Sequence, residues 1–80
     1  MRFQRLDLNL LVALDALLTE RSVSLAAERI CLSQSATSSA LGRLRDYFGD
    51  ELLVVKGRQM VLTSRAEELV EPVRAVLEQI

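Results

Sequence analysis

The sequence contains no histidine and one cysteine, Cys31. A zinc site draws mainly on those two residue types, so the inventory argues against one. A lone cysteine cannot close an intramolecular disulfide, which agrees with a reducing compartment. Aromatic residues are scarce: Phe3, Tyr47 and Phe48 are all there are. The longest apolar run, Leu10 to Leu14, is far shorter than the ~20 residues a membrane helix needs. The opening MRFQRLDLNL places charges where a signal peptide keeps its apolar stretch. An excess of cations is missing too: ten Lys/Arg stand against eleven Asp/Glu, a net charge of −1. A nucleic-acid surface must therefore be a local patch, because distribution decides more than the total. Residues 1–62 carry eight cations and seven anions, and residues 63–80 carry two and four, so the acidic excess lies in the tail.

What remains suits helices. Half of the 80 residues are apolar, mostly Leu, Val and Ala, and 26% are charged. That balance is globular, and the length allows one small domain with a modest core.

Four helical patterns and one strand pair follow from the periodicity. The first helix is predicted over Leu8 to Thr19, capped by Asp7. Leu10, Leu11, Ala13, Leu14, Leu17 and Leu18 fall on one arc of it, with Asn9, Asp15, Thr19 and Glu20 opposite. A short second helix covers Ser24 to Ile30, with Ser22 or Ser24 as cap and Ala26, Ala27 and Ile30 inside. Cys31-Leu32-Ser33 is a turn, and Cys31 reads as a small buried packing residue. Ser33 then caps a third helix, Gln34 to Tyr47, with Thr37, Leu41, Leu44 and Phe48 inward and Gly49 as its stop. Strands are predicted at Leu52–Val55 and Met60–Leu62, joined by Lys56-Gly57-Arg58-Gln59. The fourth helix starts near Thr63 or Ser64, and Ser64 with Glu67 fits a capping box. Pro72 interrupts its pattern and should kink or loosen it. Its stripe of Ala66, Leu69, Val70, Val73, Val76, Leu77 and Ile80 runs on with no stop signal, as if a longer protein continued.

A short helix, a tight turn and a second helix with a polar outer face make a helix-turn-helix pattern. Gln34, Ser35, Ser38 and Ser39 are compact hydrogen-bonding residues suited to base edges. Lys56 and Arg58 place two cations on the neighbouring hairpin, where a wing meets phosphates or the minor groove.

The run LDLNLLVALDALLTERSVSLAAERICLSQSATSSALGRLRDYFGDELLVVKGR…LT resembles the LysR-type regulators over nearly the whole chain. The matching features are Ala26-Ala27, Leu32-Ser33-Gln34, Ser38, the Leu41 and Leu44 pair, and Leu62-Thr63. The opening of the first helix is most similar to the branch of nodulation activators and aromatic-degradation regulators. The resemblance implies a mainly α fold. Three helices and a short β-hairpin wing form a winged helix-turn-helix over residues 1–62. A long dimerising linker helix then begins over residues 63–80. It also implies a cytoplasmic regulator that binds an interrupted palindrome in double-stranded DNA as a dimer or tetramer. A further C-terminal domain would sense a small-molecule inducer. No cofactor is implied. Many members carry Pro where this chain has Ser35, a basic residue at Ser39 and Arg at Val55; these departures bear on the base contacts.

The candidate DNA-contacting set is Gln34, Ser35, Thr37, Ser38, Ser39, Arg43, Lys56 and Arg58, with Thr37 also on the inner-face spacing. The candidate dimer interface is Leu69, Val70, Val73, Val76, Leu77 and Ile80, a stripe too wide for so small a domain to cover. Blander readings stand beside these. A Ser-rich face is ordinary solvated surface, Lys56 and Arg58 are solubilising charges, and Arg43 and Arg45 pair with Asp46 or Glu51. Glu67, Glu68 and Glu71 read as a solvated face. No nucleophile–base pair or metal set supports an enzyme. A helical protein-interaction module without DNA binding is the stronger rival.

Overall fold

The computed structural model describes residues 7–79. Each of its helices starts at a side-chain oxygen that accepts a backbone N–H. Asp7 Oδ1 accepts from Leu10 N at 2.8 Å to open α1 (Leu8–Glu20). Ser22 Oγ accepts from Leu25 N at 3.2 Å to open α2 (Val23–Ile30), which decides between the two candidate serines. Ser33 Oγ accepts from Ala36 N at 3.1 Å to open α3 (Gln34–Phe48). The strands β1 (Leu53–Lys56) and β2 (Gln59–Leu62) follow, and then α4 (Ser64–Glu78). The mainly α winged helix-turn-helix architecture expected from the sequence is the one observed.

One detail at α4 differs from expectation. Its cap is Thr63, whose Oγ1 accepts from Ala66 N at 3.1 Å. The third residue after Thr63 is Ala66, so the Ser64–Glu67 capping box does not form. Pro72 lies inside the helix. Pro72 is exposed, so the carbonyl that loses its N–H partner there is on the solvent side.

The helix ends are set by the left-handed region. Arg21, Cys31 and Gly49 close α1, α2 and α3 with φ of 55°, 60° and 63°. Gly49 adopts this at no steric cost, whereas the other two carry a Cβ there. At Cys31 the N–H of Leu32 reaches Ala27 O at 2.9 Å and that of Cys31 reaches Glu28 O at 3.3 Å. This is a Schellman closure, and it turns the Cys31 side chain outward. Cys31 is exposed, which corrects its reading as a buried packing residue.

The core forms around α1. Leu10, Ala13, Leu14, Ala16, Leu17 and Leu18 are all buried. All of these but Ala13 join one cluster with Ala26 of α2, Leu41 and Leu44 of α3, Leu52 and Leu53 before and in β1, and Ala66 and Val73 of α4. Small alanines on α1, α2 and α4 let the helices approach closely.

The strands pair antiparallel, from Leu53 with Leu62 at the base to Lys56 with Gln59 at the tip. Gly57 and Arg58 are the two loop residues, and Gly57 has φ 67°. A positive φ at the first loop position is what a tight hairpin turn asks of glycine. Burial falls along the strand, from buried Leu53 to Val55 at 70% exposed. The base of the hairpin is core, and its tip stands in solvent.

Between α3 and β1 the backbone is strained. Leu52 has φ 68° although its side chain is buried. A bulky residue in that region costs about 1–2 kcal/mol. Hydrogen bonds on both sides of Leu52 hold it there. Its N–H donates to Asp50 Oδ2 at 2.8 Å, and its carbonyl accepts from Thr63 N at 3.0 Å. Thr63 Oγ1 also donates to Asp50 Oδ2 at 2.6 Å. The hydroxyl of Thr63, then the Leu52 N–H, hold the Asp50 carboxyl below its ordinary value of 3.8, against a smaller opposing effect of burial.

Thr63→Ala removes both the α4 cap and the hydroxyl donor to Asp50. Unfolding in urea should show a loss of about 1–2 kcal/mol. The acid limb carries its own signature. Because the folded pKa is lowered, the contribution of Asp50 is complete above 3.8 and is lost as pH falls through the lower folded value. Asp50→Asn should therefore flatten the acid limb of stability against pH. An unchanged limb would show that Asp50 does not carry it.

Candidate nucleic-acid interface

The inner side of α3 is fixed first. Leu41 and Leu44 are buried against α1, and Thr37 is fully buried above them. Thr37 Oγ1 donates to Ser33 O at 2.9 Å, and Thr37 N donates to the same carbonyl at 3.0 Å. Its hydroxyl is spent on the helix start, so Thr37 is not placed to contact DNA. That corrects its place in the candidate set, and the physical reason is the inner-face spacing it also obeys.

With that side buried, the helical period turns Gln34, Ser35, Ser38, Ser39 and Arg43 to solvent together. The hydroxyls of Ser33 and Ser35 lie 3.3 Å apart. The first turns of α3 thus present short polar side chains on a helix anchored from behind. The turn before it, Cys31 to Ser33, is short and closed by its own hydrogen bonds. Ile30 is half-buried on one side of the turn. Leu32, within the turn, is 49% exposed.

The hairpin is tied to α3 by one side chain. Arg45 Nε donates to Glu51 O at 2.7 Å, and Arg45 Nη2 donates to Leu53 O at 2.8 Å. The Glu51 carboxylate lies 3.5 Å from the same guanidinium. The pairing of Arg45 with Glu51 was an expectation; the two carbonyl bonds were not. A guanidinium offers several donors in a planar fork, which suits it to bridge two carbonyls. Arg45 thereby sets where the strands leave α3. Lys56 and Arg58 stand exposed at the hairpin tip, and neither makes an ion pair among the described residues. Arg43 is exposed and unpaired in the same sense, so it does not pair with Asp46.

The candidate dimer stripe divides. Val73 is buried in the core, which corrects its assignment to an interface: α1 covers it. Leu69, Val70 and Leu77 are half-buried against the same core. Val76 is 48% exposed. Ile80 lies outside the described residues. The stripe is wider than the core-facing part of α4, but by less than the sequence pattern suggested.

Four helices with a helix-turn-helix at α2–α3 and a two-stranded wing define a winged helix-turn-helix DNA-binding domain. The family model described as "Bacterial regulatory helix-turn-helix protein, lysR family" matches residues 8–67. The chain belongs to that family. It is 64% identical over 77 residues to Nodulation protein D 2 of Bradyrhizobium elkanii, covering 96% of this chain and 23% of that protein. It is similar to a solved probable transcriptional regulator of Pseudomonas aeruginosa, with a TM-score of 0.86 and 49% identity over 94% of this chain and 25% of the other. The BenM DNA-binding domain in its complex with catB site 1 DNA has the same fold, with a TM-score of 0.82 and 23% identity over 91% of this chain and 82% of that one. The chain spans about a quarter of the length of the curated relatives it matches.

Two substitutions separate support from contact. Thr37→Val keeps the volume and removes the hydroxyl, at a cost of about 1 kcal/mol in stability. Base preference should be unchanged, because Thr37 faces the core; a shifted preference in binding-site selection would contradict this placement. Arg45→Ala should cost about 1–3 kcal/mol in stability. Amide exchange should quicken in β1 and β2 more than in α1, and uniform protection would show that Arg45 does not hold the hairpin.

Proposed function

We propose that α3 enters the major groove of double-stranded DNA, with Gln34, Ser35, Ser38 and Ser39 toward the bases. Arg43, Lys56 and Arg58 meet the sugar–phosphate backbone, and the hairpin tip reaches the flanking minor groove. The observation that carries this reading is the exposed polar first half of α3, held from behind by the buried Thr37 and from the side by Arg45. Gln pairs in two-pronged fashion with adenine edges, and Ser hydroxyls bond to several bases. The DNA in the BenM complex supports duplex DNA as the partner.

The reading includes a homodimer with α4 as its contact helix. The exposed part of the stripe is centred on Val76, and a two-fold partner would cover it. Two copies then place two recognition helices on an inverted repeat, and a tetramer is open to the longer protein. The reading is a cytoplasmic transcriptional regulator, not an enzyme, whose inducer acts through a domain beyond these residues. No helix among the described residues is long and apolar enough to cross a membrane.

The test begins with selection of a bound sequence from a random duplex pool. Gln34→Ala and Ser38→Ala should each lose about 1–3 kcal/mol on the selected site and relax preference at one position. If both bind every sequence as the parent does, α3 is not the reader. Lys56→Ala and Arg58→Ala should instead weaken all duplexes alike and flatten the salt dependence by about one unit of slope per lost phosphate contact. Dimerisation is read by sedimentation of Val76→Asp, since Val73→Asp would place a charge in the core. A parent chain that stays monomeric at high concentration would remove α4 as the contact helix.

A further inference from the structure

A second cationic feature lies outside the recognition helix and runs from the hairpin tip to the α1–α2 corner. An open groove of about 440 Å³ runs between the α1–α2 corner and the wing. One wall is Glu20, Arg21 and Ser22, and the other is Arg58, Gln59 and Met60. Its formal charges are two arginines and one glutamate. Glu20 Oε2 is already engaged by Arg29 Nη1 at 3.2 Å. Arg21 and Arg58 make no ion pair among the described residues. The groove is therefore lined by two uncompensated guanidiniums, one on each wall, with the Gln59 amide beside them.

The backbone at Arg21 is fixed as well. It closes α1 in the left-handed region at φ 55°, with its N–H on Leu17 O at 2.8 Å. The α2 start adds nothing to the groove, because Ser22 Oγ is taken up by Leu25 N and Ser24 Oγ. A capping cation at the end of α1 would interact favourably with the helix dipole. That accounts for a charge at Arg21, but not for a facing guanidinium on a different element.

We propose that this groove seats a phosphate of the DNA backbone, with Arg21 as a phosphate-binding residue opposite Arg58. The inference rests on the DNA-binding reading above. Arg58 belongs to both surfaces, so the groove continues the wing contact toward α2. A phosphodiester carries the single negative charge and the acceptor oxygens that two planar guanidinium forks recognise. The consequence is a clamp: the wing is fixed to the duplex through the same strand that passes the α1–α2 corner.

The experiment measures binding of the whole chain to a labelled random-sequence duplex over a series of salt concentrations, for the parent, Arg21→Gln, Arg21→Lys and Arg21→Gly. Arg21→Gln should flatten the salt dependence by about one unit of slope, and Arg21→Lys should retain it. Arg21→Gly is the control for folding, since glycine suits a left-handed backbone. It should melt no lower than the parent and still lose the same slope. A purely helix-capping role for Arg21 would instead leave the slope of every variant at the parent's value, and that result overturns the proposal while leaving the DNA-binding reading intact. A parent chain with no salt-dependent affinity for duplex DNA overturns both.

Discussion

Asp50 sits where three elements meet: just past the end of α3, just before β1, and against the first turn of α4. One of its oxygens accepts from Leu52 N and from Thr63 Oγ1. The first bond holds Leu52 in a backbone conformation that a leucine avoids. The second joins the base of the hairpin to the start of the last helix. The gain is directional. With Leu52 turned this way its side chain enters the core beside Leu53, and the chain leaves α3 at the angle that brings β1 under the reach of Arg45. Local strain is tolerated because the buried side chain and the surrounding hydrogen bonds over-determine it. The orientation of the wing relative to the recognition helix therefore depends on one carboxylate, two residues past the α3 end at Phe48, and one guanidinium, three residues before it.

A different kind of link joins the other helices. Asp15 on α1 lies 3.8 Å from Arg29 Nη2 of α2 and 3.9 Å from Arg74 Nε of α4. Arg74 also donates to Thr19 Oγ1 at 3.3 Å. These contacts are long and partly exposed, so each is worth little alone. Their arrangement matters more than their strength. One face of α1 is buried along its length and is the common partner of α2, α3 and α4. The Asp15 network ties the outer edges of α2 and α4 to that pillar, so burial sets the packing and the ion pairs adjust the edges.

The helices, the turn and the hairpin were legible because each rests on a local signal. Asp7 and Ser33 precede apolar periods of 3.6, Gly49 follows one, and Gly57 sits in a short polar loop between apolar runs. Features set by distant partners were not legible. Cys31 looked buried because cysteine usually is, but its position is a left-handed helix end that points outward. Val73 looked like interface because the α4 stripe is continuous, yet no periodicity says how far around α4 the neighbouring α1 extends. Ser64 looked like the cap because a glutamate stands at the right spacing, while Thr63 also has Asp50 to bond, thirteen residues away. In the candidate site, the outward serines and Gln34 followed from period alone. The carbonyls that Arg45 holds did not, since a sequence shows side-chain charges and not backbone acceptors.

The weak net charge is resolved by asking which charges are spent. Arg29, Arg45 and Arg74 are engaged with Asp15, Glu20 and Glu51 inside the domain. These cations and anions offset one another and add little field at a distance, because paired opposite charges are screened by each other as well as by salt. The anions of α4, Glu67, Glu68, Glu71 and Glu78, are all exposed on the helix that follows the wing. Among the described residues Arg21, Arg43, Lys56 and Arg58, on α3, the hairpin and the α1–α2 corner, make no ion pair, and neither does Arg65 in the first turn of α4. A chain with a net charge of −1 can therefore present a cationic patch to one side and an acidic helix to another. For a duplex, whose charge repeats along its axis, such an asymmetric field favours one approach over the rest. The acidic helix then repels backbone phosphate from α4 and leaves the cationic side to face it.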